Sequence, residues 1–200
     1  MKRSSATIVF LIFTIGSSFL AFAQDKLTFE DVMKFEDITQ SSISDQGNWL
    51  IYTVAPDRGD ARVVVQSVSG TLKYEVMMAS SPAMSTDEAW VAARIQASLT
   101  QRLNDQRNAP KNGMAILSTE DGSVERIDSV ARFQFSNNGQ WLAYQRLTTP
   151  EVEELKSKNK RLGTALHLRN MATHEEMSFE FVSEFAFDSL SSFVAFAVVD

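Results

Sequence analysis

Two histidines, His167 and His174, are the only imidazoles in this 200-residue chain, so acid–base chemistry near neutral pH would have to begin with them. His167 lies in the alternating run Ala165 to Arg169, which reads as a strand and puts its ring on a strand face. His174 falls in a turn and is expected to be exposed. Neither stands beside an evident acidic orienter, and a separation of seven residues is not a zinc-ligand spacing, so neither is assigned as base or ligand. Asp45, Asp87 and Asp188 recur in matching turns, where a carboxylate caps backbone N–H groups. The pairs Glu153-Glu154 and Glu175-Glu176 read as solvated faces.

Nucleophilic chemistry is constrained further. The absence of Cys removes thiol nucleophiles, disulfides, thiolate zinc sites and iron–sulfur clusters together. An activated serine on a strand-to-helix elbow needs Gly-x-Ser-x-Gly, and no two of the eight Gly have that spacing. Phosphate-binding Gly-x-x-x-x-Gly-Lys and dinucleotide-binding Gly-x-Gly-x-x-Gly are absent too. The sequence thus offers no catalytic, cofactor-binding or metal-binding residue. The basic run Lys156 to Arg161 follows three Glu and reads as the solvated end of a helix, and a net charge of −6 repels phosphate backbones, so no nucleic-acid partner is expected.

What the chain does contain is a repeat. Ile43 to Tyr52, Met84 to Ala93, Phe135 to Tyr144 and, more weakly, Phe187 to Phe196 share one frame: an apolar residue, a small hydroxyl or Asp, a polar turn, then an aromatic and an apolar run. All three Trp (Trp49, Trp90, Trp141) occupy the same position of the frame, and Phe193 takes it in the fourth copy. The copies start at 43, 84, 135 and 187, a period that suits propeller blades with loop insertions. Gly47 and Gly139 supply the positive φ of the turns. The Trp runs read as strands buried on both faces, with the Trp themselves buried between neighbouring sheets. Between copies lie three hairpins: Arg62 to Val68 with Leu72 to Met77, Met114 to Ser118 with Val124 to Ile127, and Ala165 to Arg169 with Glu176 to Phe181. Four antiparallel strands per unit predict an all-β fold of β-propeller blades, about four repeats forming an incomplete ring.

Around the repeats, Thr28-Phe-Glu-Asp31 reads as a capping box for a short leader helix, with Phe29, Val32, Met33 and Glu36 at helical spacing. Thr149-Pro150 opens a second helix in which Glu154 and Lys158 stand four apart, and 94–112 reads as a polar loop. A composition of 44% hydrophobic and 22% charged residues is the globular average, which excludes disorder, collagen and multi-span membrane classes. Lys2 and Arg3, the apolar run Ile8 to Leu20 and Ala21-Phe22-Ala23 form a secretory signal over 1–23, too short in its apolar part to span a bilayer and followed by no lipid-bearing Cys. The organisation read from the sequence is therefore signal 1–23, leader 24–40 and propeller repeats 41–200. Export without Cys fits a bacterial periplasm or exterior, with no membrane association after cleavage.

The stretch Leu27 to Ile38, followed by Ser42-Ile-Ser-Asp-Gln-Gly-Asn-Trp-Leu-Ile-Tyr52 and Pro56-Asp-Arg-Gly-Asp60, resembles the start of exported bacterial peptidases of the prolyl oligopeptidase family. The resemblance implies an N-terminal propeller over a C-terminal α/β-hydrolase domain with a Ser-Asp-His triad. It further implies peptide substrates reached through that domain, and a propeller inactive alone. Some members anchor a substrate amino terminus with paired Glu in an Asp-Trp-x-Tyr-Glu-Glu setting, which neither Glu pair here has. The repeat is shared with TolB-type propellers, so a non-enzymatic periplasmic binding scaffold with a protein partner is the alternative.

Overall fold

The computed structural model describes residues 26–105, 107–148, 154 and 163–199. The signal over 1–23 and the helix opened by Thr149-Pro150 lie outside the described residues, apart from Glu154. The leader helix forms as α1 (Phe29–Met33), with the Thr28 hydroxyl accepting from the Asp31 N–H at 3.2 Å and the Asp31 carboxylate accepting from the Thr28 N–H at 3.0 Å. It buries none of its residues. Glu36 does not extend it: the chain turns extended there and enters β1 (Glu36–Ile43), so the first blade takes in part of the leader.

Three sheets follow. The first has the order β1-β2-β3-β4, with β2 (Trp49–Pro56), β3 (Arg62–Ser67) and β4 (Lys73–Met77). The second repeats it with β5 (Ala79–Met84), β6 (Trp90–Ile95), β7 (Gly113–Ser118) and β8 (Val124–Ile127). The third contains β9 (Val130–Phe135), β10 (Trp141–Arg146), β11 (Thr164–Asn170), β12 (Glu176–Phe187) and β13 (Val194–Val198). All neighbours are antiparallel, and each Trp opens the second strand opposite an equivalent residue: Trp49 pairs Ser67, Trp90 pairs Ser118 and Trp141 pairs Asn170. The Trp register predicted from the sequence is the register of the blades.

The sheets stack face to face, which explains the apolar middle strands. On β6, Val91 and Ala93 pack against Ile51, Val63 and Val65 of the first sheet, while Ala92, between them, faces Leu142 and Tyr144 of the third. A strand covered on both faces must be apolar at odd and even positions alike. Pro82 interrupts β5 only where the register to β6 already shifts between Ser80 and Ala83, on an edge strand that tolerates a missing N–H.

Three features were not read from the sequence. The strand predicted from Glu176 to Phe181 is twice that long: β12 closes the third blade against β11 and then, past Phe181 at φ 59°, opens the fourth against β13. Met78 (φ 60°) and Ser129 (φ 57°) mark the same blade-to-blade junction earlier in the chain. Within the segment read as a polar loop, α2 (Leu99–Asn104) forms a helix, because Ser98 and Gln101 make a reciprocal capping box and Asp60 Oδ1 accepts from the Leu99 N–H at 2.6 Å. Finally, the three Trp are half-buried rather than buried, since each starts its strand beside a turn and closes the end of the gap between sheets.

Candidate functional site

The four equivalent turns lie side by side and form a continuous polar collar. In each, the first residue of the turn accepts from the aromatic N–H: Ser44 from Trp49 at 2.9 Å, Ser85 from Trp90 at 3.0 Å, Ser136 from Trp141 at 3.0 Å, and Asp188 Oδ1 from Phe193 at 2.7 Å. The positive-φ residue is Gly47 or Gly139 where Gly is present, and Glu88 (60°) or Ser191 (57°) where it is not. Asp188 thus replaces a capping hydroxyl, and Asp87 Oδ1 accepts from the Ser85 hydroxyl and the Ala89 N–H, so both carboxylates cap backbone as their positions suggested. Asp45 is exposed on its turn.

One collar residue escaped sequence reading. Glu88 is only 6% exposed, and its carboxylate accepts from the Gln46 N–H at 2.9 Å and the Asn48 amide at 2.8 Å, binding the first turn to the second. Burial pushes this carboxyl up, but bonds from Ser44, Asn48 and the N–H groups of Gln46 and Asn48 outweigh it and hold the group below the usual range. Later turns are joined through Thr86 to the Asn137 carbonyl and Asn137 to the Ser189 carbonyl.

His167 does have an acidic partner, contrary to the sequence reading. Register pairs Arg169 with Glu176 across β11 and β12, which sets Glu176 diagonal to His167, and Nδ1 lies 2.8 Å from Glu176 Oε1. The other carboxylate oxygen accepts from the Tyr144 hydroxyl at 2.8 Å, and the Tyr144 and His167 rings stack at 4.8 Å. Glu176 is exposed, as read, and is also a structural acceptor. Burial and this bond raise the Tyr144 hydroxyl well above its ordinary range. The carboxylate fixes the imidazole as it would in a triad, but its other partner is a buried phenol, an arrangement that ties β10, β11 and β12 together.

His174 is exposed in the β11–β12 turn, as expected, at φ 60°. Its ring meets Trp90 edge-on at 5.9 Å, and Arg169 donates to its Nδ1 at 3.2 Å. Arg169 also forks onto Glu125 of β8 with two bonds of 2.7 Å, joining the second and third blades. This guanidinium holds the Glu125 carboxyl below its usual range. Trp90, Glu125 and His174 border a cleft of about 630 Å³ between the two blades. Among the described residues no three His, Asp or Glu converge as metal ligands, and no helix is long and apolar enough to cross a membrane.

No family model matches the chain. No curated protein matches it either. Solved structures do. The β-propeller domain of the trilobed protease from Pyrococcus furiosus, with an open velcro topology, superposes with a TM-score of 0.51 at 12% identity, covering 77% of this chain and 46% of that one. An acylaminoacyl peptidase in complex with Z-Gly-Gly-Phe-chloromethyl ketone gives 0.55 at 11% identity over 83% of this chain and 28% of that one. A prolyl endopeptidase gives 0.54 at 12% identity over 86% and 27%. The chain spans less than half the length of each. Its fold is that of the β-propeller, and its structural neighbours are propellers of prolyl oligopeptidase-type peptidases.

Proposed function

We propose that this chain is the propeller part of an exported serine peptidase of the prolyl oligopeptidase type, and that it selects substrates by size. The observation that carries the reading is architectural: stacked four-stranded blades superpose on peptidase propellers over more than three quarters of the chain. Acidic side chains with structural partners support a structural part, since Glu176, Glu88, Asp87 and Asp188 each hold backbone or a neighbouring ring. In this reading a ring of rigid blades leaves room for an extended peptide and none for a folded domain, so the propeller contributes exclusion and a hydrolase domain contributes the chemistry. The signal over 1–23 would deliver it to a bacterial periplasm or exterior.

The reading frame beyond codon 200 tests this. A Gly-x-Ser-x-Gly followed by Asp and then His is the expected result. Further blade repeats with no hydrolase pattern would overturn the peptidase reading and leave a binding scaffold.

A further inference from the structure

The repeat places three equivalent clefts between successive blades, the third within the five-stranded sheet, and each is closed differently. On the outer strand, the residue opposite Val65, Ile116 and Leu168 is Tyr74, Glu125 and Met177 in turn. In the first cleft Tyr74 lies on Trp49, with ring centroids 6.2 Å apart and planes 26° off parallel. The following blade makes room for it with Gly122, where a Cβ would stand 2.4 Å from the Tyr74 ring. In the third cleft Met177 and Phe193 leave about 180 Å³ beside Trp141.

The second cleft has neither filler. Glu125 stands where Tyr74 would be and is drawn aside by the Arg169 fork. His174 occupies the place of Gly122: both have positive φ, and both donate their N–H across the hairpin, Gly122 to Ser118 O and His174 to Asn170 O, each at 2.9 Å. The imidazole stands perpendicular to the Trp90 ring at 5.9 Å instead of lying parallel on it as Tyr74 does on Trp49, and Trp90 lines an open cavity. The resulting 630 Å³ falls within the roughly 300–1,000 Å³ of small-ligand sites.

Charge then selects among planar occupants. Asp87, Glu120 and Asp121 line the cleft, no described lining residue is a lysine, and the Arg169 fork is committed to Glu125. The Ser123 N–H and hydroxyl hold the Asp121 carboxyl below its usual range, so it keeps its charge into mildly acidic conditions.

We propose that this cleft binds an arginine side chain of an extended peptide, its guanidinium stacked on Trp90 and bonded to the carboxylates of Asp87, Glu120 and Asp121. Guanidinium is planar, carries five donors in a fork and is weakly hydrated, so it takes a position built for a flat ring beside carboxylates better than an ammonium does. The cleft opens on the face bearing the turns, with Glu120 and Ala172 exposed at its rim, which leaves a peptide backbone outside while the side chain enters. The inference is independent of the peptidase reading.

The test is an NMR titration of the full chain following the three indole N–H signals, with Trp90 identified by Trp90→Phe. The probe is acetyl-Gly-Arg-Gly-amide, compared with its Lys and norleucine forms and with guanidinium chloride. Saturable movement of the Trp90 signal alone is expected, at least about tenfold weaker with Lys or free guanidinium and absent with norleucine. Glu120→Lys, an exposed change, should weaken binding about fivefold or more while the other indole signals stay in place. Glu125→Tyr combined with His174→Gly transplants the first cleft's filling into the second and should abolish binding. An unmoved Trp90 signal, equal response to norleucine or Lys, equal affinity for free guanidinium, or binding retained in the filled variant would overturn the proposal.

Discussion

Glu88 combines two demands that oppose each other. Its backbone sits at φ 60°, a region that costs a non-Gly residue, while its carboxylate secures the first turn to the second. Replacing it separates them. Glu88→Ala keeps the strain and strands the donors of Gln46 and Asn48, and should cost about 2–4 kcal/mol in a denaturant melt. Glu88→Gly removes the strain but not the loss of bonds and should cost about 1 kcal/mol less than the Ala variant. The folded pKa is depressed, so the stabilisation is complete above the ordinary Glu range and disappears as pH falls through the lower folded value. Stability of the wild type should drop over that acidic interval more steeply than that of Glu88→Gln, measured by melts from pH 6 downward.

The Trp positions carry a graded prediction of the same kind. Both Trp pack against a core cluster, but Trp49 also has a stacked ring in Tyr74, whereas Trp90 has the perpendicular ring of His174 and borders an open cleft. Truncation to Ala should therefore cost about 3–4 kcal/mol at Trp49 and about 1 kcal/mol less at Trp90, by urea unfolding of each variant. Equal losses would show that the open face of Trp90 is covered in solution.

At the scale of elements, periodicity made the blades legible because each Trp-led strand is apolar on both faces and every turn reuses one bonding pattern. The Trp-led strands, the hairpins and the α1 cap all follow from nearest neighbours in sequence. What escaped was whatever depends on the partner strand. The His167–Glu176 contact is a diagonal across a register that no single strand encodes, and Glu88 points at a turn 42 residues away. α2 is different, for its Ser98-Leu-Thr-Gln101 cap was in plain sight, but the six-residue helix offers only Leu99 and Leu103 at i, i+4, neither of them buried, too short a stripe to announce it. Such a helix should depend on its cap and on the Asp60 carboxylate at its first N–H, with little from burial. Ser98→Ala is expected to remove hydrogen-exchange protection from the Arg102 amide, which bonds Ser98 O, while shifting the global melting temperature by no more than about 2 °C.

Among the described residues the first and last strands do not pair. β1 edges the first sheet and β13 the third, in separate sheets, and both margins display apolar side chains: Ile38 and Ile43 at 63% and 67% exposure, Phe193 and Val198 at 77% and 56%. Unpaired strand edges bearing apolar groups recruit other chains. Sedimentation velocity of the isolated chain should show association that grows with concentration. A monomer with a sharp, concentration-independent thermal transition would mean that these margins are protected.

Glu88, Glu176, Arg169 and Asp188 hold turns, strands and blades together. Acyl transfer needs an activated nucleophile, a base within hydrogen-bond reach and oxyanion donors, and His167, the one imidazole fixed by a carboxylate, faces a buried tyrosine. The direct measurement is treatment of purified residues 24 to 200 with a covalent serine-hydrolase probe, alongside hydrolysis of a chromogenic peptide. No labelling and no turnover above buffer are expected. Stoichiometric labelling at one serine, lost on heat unfolding, would show that a catalytic domain had been mistaken for a gate.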